Sequence, residues 1–162
     1  MPPSDSIRIP PPEEKRRLYA EAFERVTRAV DGERDAVARM ATTVAVLHGM
    51  MPHFYWTGFY RVVGGELVVG PYQGTPACQR IALGRGVCGK AWESGETQIV
   101  ADVSRFPGHI ACDARSTSEI VIPVPGPLGE IAGILDIDSS LPSAFSEIDQ
   151  NGLEQIIHSI FG

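Results

Sequence analysis

A glycine pair in the middle of the chain constrains the fold more than any other feature. Two segments rich in aromatic and β-branched residues, Phe54 to Val63 and Glu66 to Val69, flank Gly64-Gly65. Two-residue loops of this composition favour primed turns, which join two antiparallel strands. The sequence therefore predicts a β-hairpin at this point.

Helical spacing of apolar residues appears before the hairpin and again at the end of the chain. The first stripe predicts an amphipathic helix from Glu13 to Val30. A second stripe predicts a helix that ends before Pro52, and its members are Val37, Met40, Val44 and Leu47. The capping-box pattern that starts at Ser146 predicts the beginning of a closing helix.

The segment between the hairpin and the closing helix is mixed. Short strands are predicted at Gln79 to Ala82, Thr97 to Ala101, Glu119 to Val124 and Glu130 to Ile137. A short helix is predicted at Gly86 to Ser94, and a turn at Gly126 to Gly129. Hairpins give antiparallel pairing and helices at both ends can cover the sheet, so the class is α+β, not a doubly wound parallel fold.

Length and composition indicate one domain. The chain has 162 residues, which is enough for a single core. Residues 1–12 contain five prolines and form a Pro-rich arm that we expect to be disordered or to lie loosely on the surface. The domain itself is predicted to span residues 13–162.

Charge and segment composition argue against several classes of partner. The formal net charge is −6, whereas proteins that follow nucleic-acid phosphates need clustered Lys and Arg. The chain has no secretory-signal pattern and no run near the roughly 18 to 20 apolar residues of a membrane span. We therefore expect a cytoplasmic protein that binds neither nucleic acid nor membranes.

The three cysteines are the first candidates for chemistry. Cytosolic thiols are kept reduced, and an odd number leaves one unpaired in any case. Cys78, Cys88 and Cys112, with His109, could arithmetically form a zinc site, but closely spaced ligand pairs are missing. A buried, inert thiol is the ordinary alternative for each of them.

Cys112 departs from that alternative because of its surroundings. It lies in the long irregular stretch from Asp102 to Ser118, close to His109 and Arg115. Neighbouring cationic groups lower a thiol pKa, and only the thiolate is nucleophilic. Two further thiols lie upstream, as a nucleophile that needs a resolving partner requires.

Acidic residues in two predicted strands form a second group of candidates. Asp136 and Asp138 are two positions apart, so both side chains point to the same face of a strand whose alternate residues are apolar. If that face is core, the acids need cationic or backbone partners; if it is a pocket, they can bind an ammonium group or hold a proton. Glu119 poses the same question.

Aromatic residues on the first strand divide between its two faces. Trp56 and Tyr60 share one face and Phe59 takes the other. Core packing is the usual role of such a cluster, and the first two are also candidates for a pocket wall.

Three glycines match a dinucleotide-binding pattern only in spacing. Gly84, Gly86 and Gly89 fit G-x-G-x-x-G. That fingerprint requires a parallel βαβ unit, whereas the neighbouring elements here are hairpins. We interpret the glycines as a tight entry into the short helix.

These features together resemble the free methionine-R-sulfoxide reductases, which are built on a single GAF domain. The resemblance covers about Phe54 to the C-terminus. It is carried by Trp56-Thr-Gly-Phe-Tyr60, Gly70-Pro-Tyr-Gln-Gly74, Ala77-Cys-Gln-Arg-Ile81, Gly84-Arg-Gly-Val-Cys-Gly89, Phe106-Pro-Gly-His-Ile-Ala-Cys-Asp113, Ser118-Glu-Ile-Val121 and Leu135-Asp-Ile-Asp-Ser139. It implies a GAF-like fold with a central antiparallel sheet of about six strands flanked by helices.

The resemblance also implies roles for the thiols. Cys112 matches the nucleophile, Cys78 the resolving thiol, and Cys88 a third thiol that could join an alternative disulfide. The nucleophile would become a sulfenic acid and then a disulfide, which an external dithiol reduces. The expected reductant is thioredoxin, supplied by NADPH through thioredoxin reductase, and no metal or bound organic cofactor is expected.

The remaining candidates match residues of the family's pocket. Trp56 and Tyr60 resemble the apolar wall around the substrate methyl group. Glu119, Asp136 and Asp138 match the acids that hold the amino acid and the sulfoxide oxygen, and a carboxylic acid with a raised pKa could protonate that oxygen. Two alternatives stay open: a GAF module that binds a small molecule without turnover, and a redox sensor. A homodimer is a further open alternative.

Overall fold

The computed structural model describes residues 7–109 and 112–162. Within these residues the chain forms four α-helices, one six-stranded sheet and a short 3-10 helix at Val103–Arg105. The helices are α1 (Pro12–Ala29), α2 (Ala36–Met50), α3 (Gly86–Ser94) and α4 (Glu147–Phe161). The strands are β1 (Trp56–Val63), β2 (Glu66–Gln73), β3 (Arg80–Ile81), β4 (Gln98–Val100), β5 (Ser118–Pro125) and β6 (Ile131–Ser139). None of the helices in these ranges is both long enough and apolar enough to cross a membrane.

The sheet is antiparallel throughout, in the order β3-β2-β1-β6-β5-β4. The predicted β1–β2 hairpin is confirmed: Gly64 and Gly65 have φ values of 60° and 82°, as a primed two-residue turn requires. β1 and β6 are central, although 67 residues separate the end of one strand from the start of the other (63 to 131, exclusive). The predicted α+β class, with a central antiparallel sheet of six strands flanked by helices, is confirmed.

β2 is longer than predicted, since it continues past Val69 to Gln73. A proline normally interrupts a strand because it has no N–H to donate. Here the register slips by one residue: Gly58 pairs with Tyr72, but Tyr60 pairs with Val69. Pro71 lies inside this bulge, where β2 can accommodate it without losing a regular pair.

The two faces of the sheet bury different sets of side chains. One face packs against α1, α2 and α4 and includes Phe59, Leu135 and Ile137. The other face packs against α3 and the long loops and includes Trp56 and Tyr60. The predicted division of the first-strand aromatics between the two faces is therefore confirmed.

A buried polar network joins α1 to α4 within the helical layer. Asp149 completes the predicted capping box with Ser146, and it also accepts hydrogen bonds from Lys15 (2.5 Å) and Tyr19 (2.7 Å). His53 Nε2 lies 2.8 Å from the same carboxylate. The network ties the N-terminal helix to the C-terminal one through a fully buried carboxylate.

The helix predicted from the second apolar stripe is confirmed as α2, although one member of the stripe is not buried. Met40, Val44 and Leu47 are buried, whereas Val37, in the first turn, is 44% exposed.

The prediction for the Pro-rich arm stays open. Residues 1–6 of the Pro-rich arm lie outside the described residues. In the described part, Arg8 donates its N–H to the Pro52 carbonyl oxygen (3.0 Å) and pairs with Glu14. The disorder predicted for the arm as a whole stays a prediction.

Candidate active site

A cavity opens on the face of the sheet opposite α1, α2 and α4. Its walls come from β1, β5, β6, the start of α3 and the loops before β3 and β5. Seven of the eight residues singled out in the sequence line it: Trp56, Tyr60, Cys88, Cys112, Glu119, Asp136 and Asp138. The eighth, Cys78, is bonded to Cys112. The structure thus brings all eight together.

The acidic cluster is built by the pairing of β5 with β6. Asp136 and Asp138 alternate with apolar residues on β6, and Glu119 of β5 lies directly opposite Asp138. Glu119 and Asp136 are only 5% and 7% exposed. Like charges at opposite positions of an antiparallel pair are destabilising, so three ionised carboxylates in this arrangement would be costly.

Burial and mutual repulsion shift the titration of these acids in one direction. Burial raises the pKa of Glu119 well above its usual range, and the nearby Asp136 and Asp138 raise it further. Burial also raises the pKa of Asp138 and, less strongly, that of Asp136, where hydrogen bonds from Glu119 offset part of the effect. The cluster therefore retains protons at pH values where isolated carboxyl groups are ionised.

The cluster has no cationic side chain to neutralise it among residues 7–109 and 112–162. No ion pair to the three acids is formed there, and Asp136 Oδ1 is buried without a hydrogen-bond partner. An unpaired polar atom in this position costs free energy unless a ligand satisfies it. The cavity can therefore bind a positively charged or proton-donating group.

The thiols occupy two different environments. A disulfide joins Cys78, in the loop between β2 and β3, to Cys112, in the loop before β5. Cys112 is exposed and Cys78 is half-buried. Cys88 is a buried free thiol in the first turn of α3, and its Sγ donates to Glu119 Oε1 at 3.8 Å. Burial and the surrounding carboxylates raise the pKa of Cys88 well above its usual value.

Less positive charge surrounds Cys112 than the sequence suggested. His109 lines the cavity, but its partial burial lowers its pKa, so the neutral imidazole is favoured at neutral pH. Arg115 lies against the Asp113 carboxylate at 3.4 Å and over the Tyr55 ring at 5.2 Å. Asp113 therefore neutralises much of the positive charge that Arg115 could otherwise present to Cys112.

The aromatic wall is linked to the segment that carries Cys78. Trp56 stacks on Tyr72 with 5.2 Å between ring centroids, and its indole N–H donates to the Thr75 carbonyl oxygen at 2.9 Å. Tyr60 donates its hydroxyl to the Cys78 carbonyl oxygen at 2.9 Å. The same two side chains thus shape the cavity and hold the β2–β3 loop.

At the start of α3, sequence reasoning identified only Cys88 as part of the site. Arg85, Gly86 and Val87 line the cavity, and the first amides of a helix have no acceptor within it. The glycines that pointed to this place do form a tight helix entry, since Gly84 and Gly86 have φ values of 74° and 62°. The spacing of these glycines marks the place in the sequence, but by itself it predicts only the backbone geometry of the helix entry.

One set of donors in the cavity has the composition of a metal site. Ligand atoms of Cys88, Glu119 and Asp136 all lie within 4.8 Å of one another. The zinc site considered from the sequence is a different set, and it is incompatible with the bond between Cys78 and Cys112. The three clustered donors also belong to the acidic group that faces the cavity.

Comparison with known proteins identifies a domain family and relatives that extend over most of the chain. The sequence profile of the GAF domain matches residues 31–160. Protein YtsP of Bacillus subtilis is 43% identical over 149 residues, which covers 91% of each chain. The free methionine-R-sulfoxide reductase of Escherichia coli is 42% identical over 143 residues, covering 88% of this chain and 86% of the relative.

A solved structure gives the same relationship in three dimensions. The X-ray structure of the free methionine-R-sulfoxide reductase from Neisseria meningitidis, in complex with its substrate, superposes with a TM-score of 0.86. The two sequences are 42% identical, and the match covers 90% of this chain and 87% of that one. The similarity therefore extends over most of both chains.

Proposed function

The chain belongs to the GAF-domain family, in the group that contains the free methionine-R-sulfoxide reductases, and we propose that it reduces free methionine-R-sulfoxide to methionine. The observation that carries the proposal is the Cys78–Cys112 disulfide beside a cavity lined by Glu119, Asp136 and Asp138, whose burial raises the pKa of each. A pair of thiols that closes to a disulfide supplies two electrons, and a protonated acid can supply the proton that a departing sulfoxide oxygen needs.

The first step is oxygen transfer to Cys112. Its thiolate attacks the sulfoxide sulfur and forms an S–S bond. The oxygen takes up one proton and moves to Cys112 Sγ, while its bond to the substrate sulfur and the new S–S bond both break, which gives Cys112 sulfenic acid and methionine. We assign the proton donor to Glu119, because it is buried and both acidic neighbours raise its pKa. Asp136 and Asp138 therefore act both as ligands and as the groups that keep Glu119 protonated.

The second step closes the disulfide. The Cys78 thiol attacks the sulfenic sulfur of Cys112, so that an S–S bond forms and water leaves. Cys78 is better suited to this role than Cys88, because burial holds Cys88 in the protonated form, which is a poor nucleophile. An external dithiol then reduces the bond. We propose thioredoxin for this task, recharged by NADPH through thioredoxin reductase, with no metal or bound organic cofactor taking part.

Both charged groups of a free amino acid find partners in the cavity. Asp136 and Asp138 can bind the ammonium group. The start of α3, with its free amides and Arg85, suits the carboxylate because helix N-termini favour anions. Trp56 and Tyr60 then form the apolar wall for the methyl group. A methionine sulfoxide within a peptide lacks both charges, so the free amino acid is preferred.

The test is a thioredoxin-coupled assay of NADPH oxidation with the R and S epimers of free methionine sulfoxide. We expect turnover of the R epimer alone and loss of turnover in Cys112→Ser. Cys78→Ser should release methionine once and then stall with thioredoxin, whereas Cys88→Ser should continue to cycle. A ligand-binding module or a redox sensor would consume neither epimer, and that result would reject the proposal.

A second assay isolates the recognition of the two charges. N-acetylation removes the ammonium group of the substrate and amidation removes its carboxylate, while the sulfoxide is unchanged. Each change should lower kcat/KM by about tenfold or more, since Asp136 and Asp138 lose the ammonium group in one case and the α3 amides and Arg85 lose the carboxylate in the other. Equal rates for all three compounds would contradict the assignment of the two subsites.

The wider organisation follows the same proposal. Residues 13–162 form a single GAF domain after the Pro-rich arm, and the profile match to residues 31–160 lies within that range. A thioredoxin-dependent reductase needs a reducing compartment, so we propose that the protein acts in the cytoplasm.

A further inference from the structure

Asp113 lies next to the proposed nucleophile and makes contacts that the proposed reaction does not use. Its Oδ2 accepts hydrogen bonds from the Thr75 hydroxyl at 2.6 Å and from the Tyr55 hydroxyl at 2.9 Å. Its Oδ1 accepts from the backbone N–H of Arg115 at 2.9 Å. The carboxylate is thus held from three directions and its side chain is only 16% exposed.

These contacts join the two loops that carry the disulfide. Asp113 directly follows Cys112, and Thr75 lies three residues before Cys78. The short bond between them is therefore a second, non-covalent link that runs parallel to the disulfide. It remains available when the S–S bond is reduced, because it needs no sulfur atom.

The start of β1 gives both loops a common anchor. Tyr55 contacts Asp113 through its hydroxyl and is itself fixed by its backbone N–H, which donates to the Asp138 carbonyl oxygen at 2.8 Å. The next residue, Trp56, holds the Thr75 carbonyl oxygen. The hydrogen bonds from Thr75 and Tyr55 to Asp113 form a clamp, and this clamp is attached to a central strand of the sheet as well as to the two loops.

The charge state of Asp113 suits a permanent clamp. The hydrogen bond from Thr75, followed by the one from the Arg115 N–H, holds the pKa of the carboxyl far below its usual range. The group is therefore ionised whenever the enzyme works, and hydrogen bonds to an ionised acceptor are about twice as strong as neutral ones.

We propose that Asp113 is a positioning residue whose carboxylate holds the Cys112 loop against the segment that carries Cys78, so that the two thiols stay within reach of each other. Fixing two reacting groups raises their effective concentration. A sulfenic acid on Cys112 then meets Cys78 before a second oxidation converts it to sulfinic acid. The inference concerns the thiol pair of the proposed function, but its test requires no turnover of a sulfoxide.

The test is the equilibrium between reduced protein and the Cys78–Cys112 disulfide in glutathione redox buffers, with the bonded pair identified by mass spectrometry of alkylated peptides. Asp113→Ala should lower the equilibrium constant for the disulfide by about tenfold or more, because the charge-assisted bond to Thr75 and the one to Tyr55 beside β1 are both lost. Thr75→Val removes one of them and should lower it by about threefold or more.

Asp102→Ala is the matched control. Asp102 also caps its own loop, through its contact with the backbone N–H of Ser104 at 3.0 Å, and none of its hydrogen bonds reaches the Cys78 segment. The equilibrium constant for the Cys78–Cys112 disulfide in Asp102→Ala should equal that of the wild type. An equal constant in Asp113→Ala and wild type, or an equal fall in Asp102→Ala, would overturn the inference.

Two further measurements separate positioning from other effects. Thr75→Val leaves the charge beside Cys112 in place, so a shift in this variant cannot come from altered thiolate reactivity; if only Asp113→Ala changed, the clamp would be rejected. If Asp113→Ala failed to fold, Thr75→Val and Tyr55→Phe would decide the question alone. Because no sulfoxide is present, failure of the proposed function would leave all of these constants unchanged.

Discussion

Replacing Glu119 by glutamine should remove most of the activity and also change how stability depends on pH. Glutamine has nearly the same size and still accepts a hydrogen bond from Cys88, which lies 3.8 Å away. What it loses is a proton that can be transferred. Loss of a general acid typically slows a reaction by about 10²- to 10⁴-fold, so kcat should fall within that range.

The sign of the stability effect follows from the raised pKa. Burial, and then the charges of Asp136 and Asp138, raise the pKa of Glu119 in the folded protein above its ordinary value of 4.5. Above pH 4.5 the unfolded chain releases this proton while the folded protein keeps it. The contribution of Glu119 to stability is therefore complete below that pH and is lost as the pH rises through the folded-state pKa.

The size of the stability effect is given by the slope of the free energy of unfolding against pH. One proton held only by the folded state makes the free energy of unfolding fall by about 1.4 kcal/mol per pH unit. The variant lacks this proton, so its advantage over the wild type should grow by about 1.4 kcal/mol for each unit above pH 4.5 until the folded-state pKa is passed. The low pKa of Asp149, about 2, affects stability only in more acidic solution, so it does not mask the slope.

The measurement is urea denaturation of oxidised wild type and Glu119→Gln at intervals from about pH 5 to about pH 8. Glu96→Gln, at an exposed position, is the control and should follow the wild type. Parallel curves for Glu119→Gln and wild type would refute the claim that folding traps a proton at this site. Undiminished turnover in the same variant would refute its role as the acid.

Two other predictions concern the scaffold. Lys15→Met should lower the free energy of unfolding by about 3 to 5 kcal/mol, because it removes the cation 2.5 Å from the buried Asp149 carboxylate; urea denaturation measures the loss, and an effect below about 1 kcal/mol would contradict it. Gly133→Ala should cost about 1 to 3 kcal/mol, because the added methyl group would collide with the Tyr60 carbonyl oxygen on β1. Urea denaturation tests this change as well. Unaltered stability would show that β1 and β6 can move apart enough to accept the methyl group.

Local rules explain the parts of the fold that the sequence predicted. The turn at Gly64-Gly65 depends only on the φ values that those residues adopt, and the cap at Ser146 depends on residues within one helical turn. The common face of Asp136 and Asp138 follows from the two-residue period of a strand. Each of these features is decided within about four residues, so no knowledge of distant packing was needed.

Long-range contacts explain what could not be predicted. Lys15 is 134 residues from Asp149, and a lysine in an amphipathic helix ordinarily faces solvent. The contact of Asp113 with Thr75 spans 38 residues and depends on how two irregular loops lie against β1. Strand order has the same origin, because β1 pairs with β6 although the two strands are far apart in the sequence.

Two buried carboxylates show how the same fold produces opposite chemistry. Burial acts to raise the pKa of Asp149, but hydrogen bonds from His53 and Lys15 outweigh it and bring the pKa down to about 2. Burial raises the pKa of Glu119 as well, and its neighbours Asp136 and Asp138 add to the effect because they are also acids. The first carboxylate is satisfied and stabilises the helical layer. Glu119 has no cationic partner among the described residues and therefore favours its protonated form. A cationic substrate can supply the missing positive charge, and a departing oxygen can accept the proton.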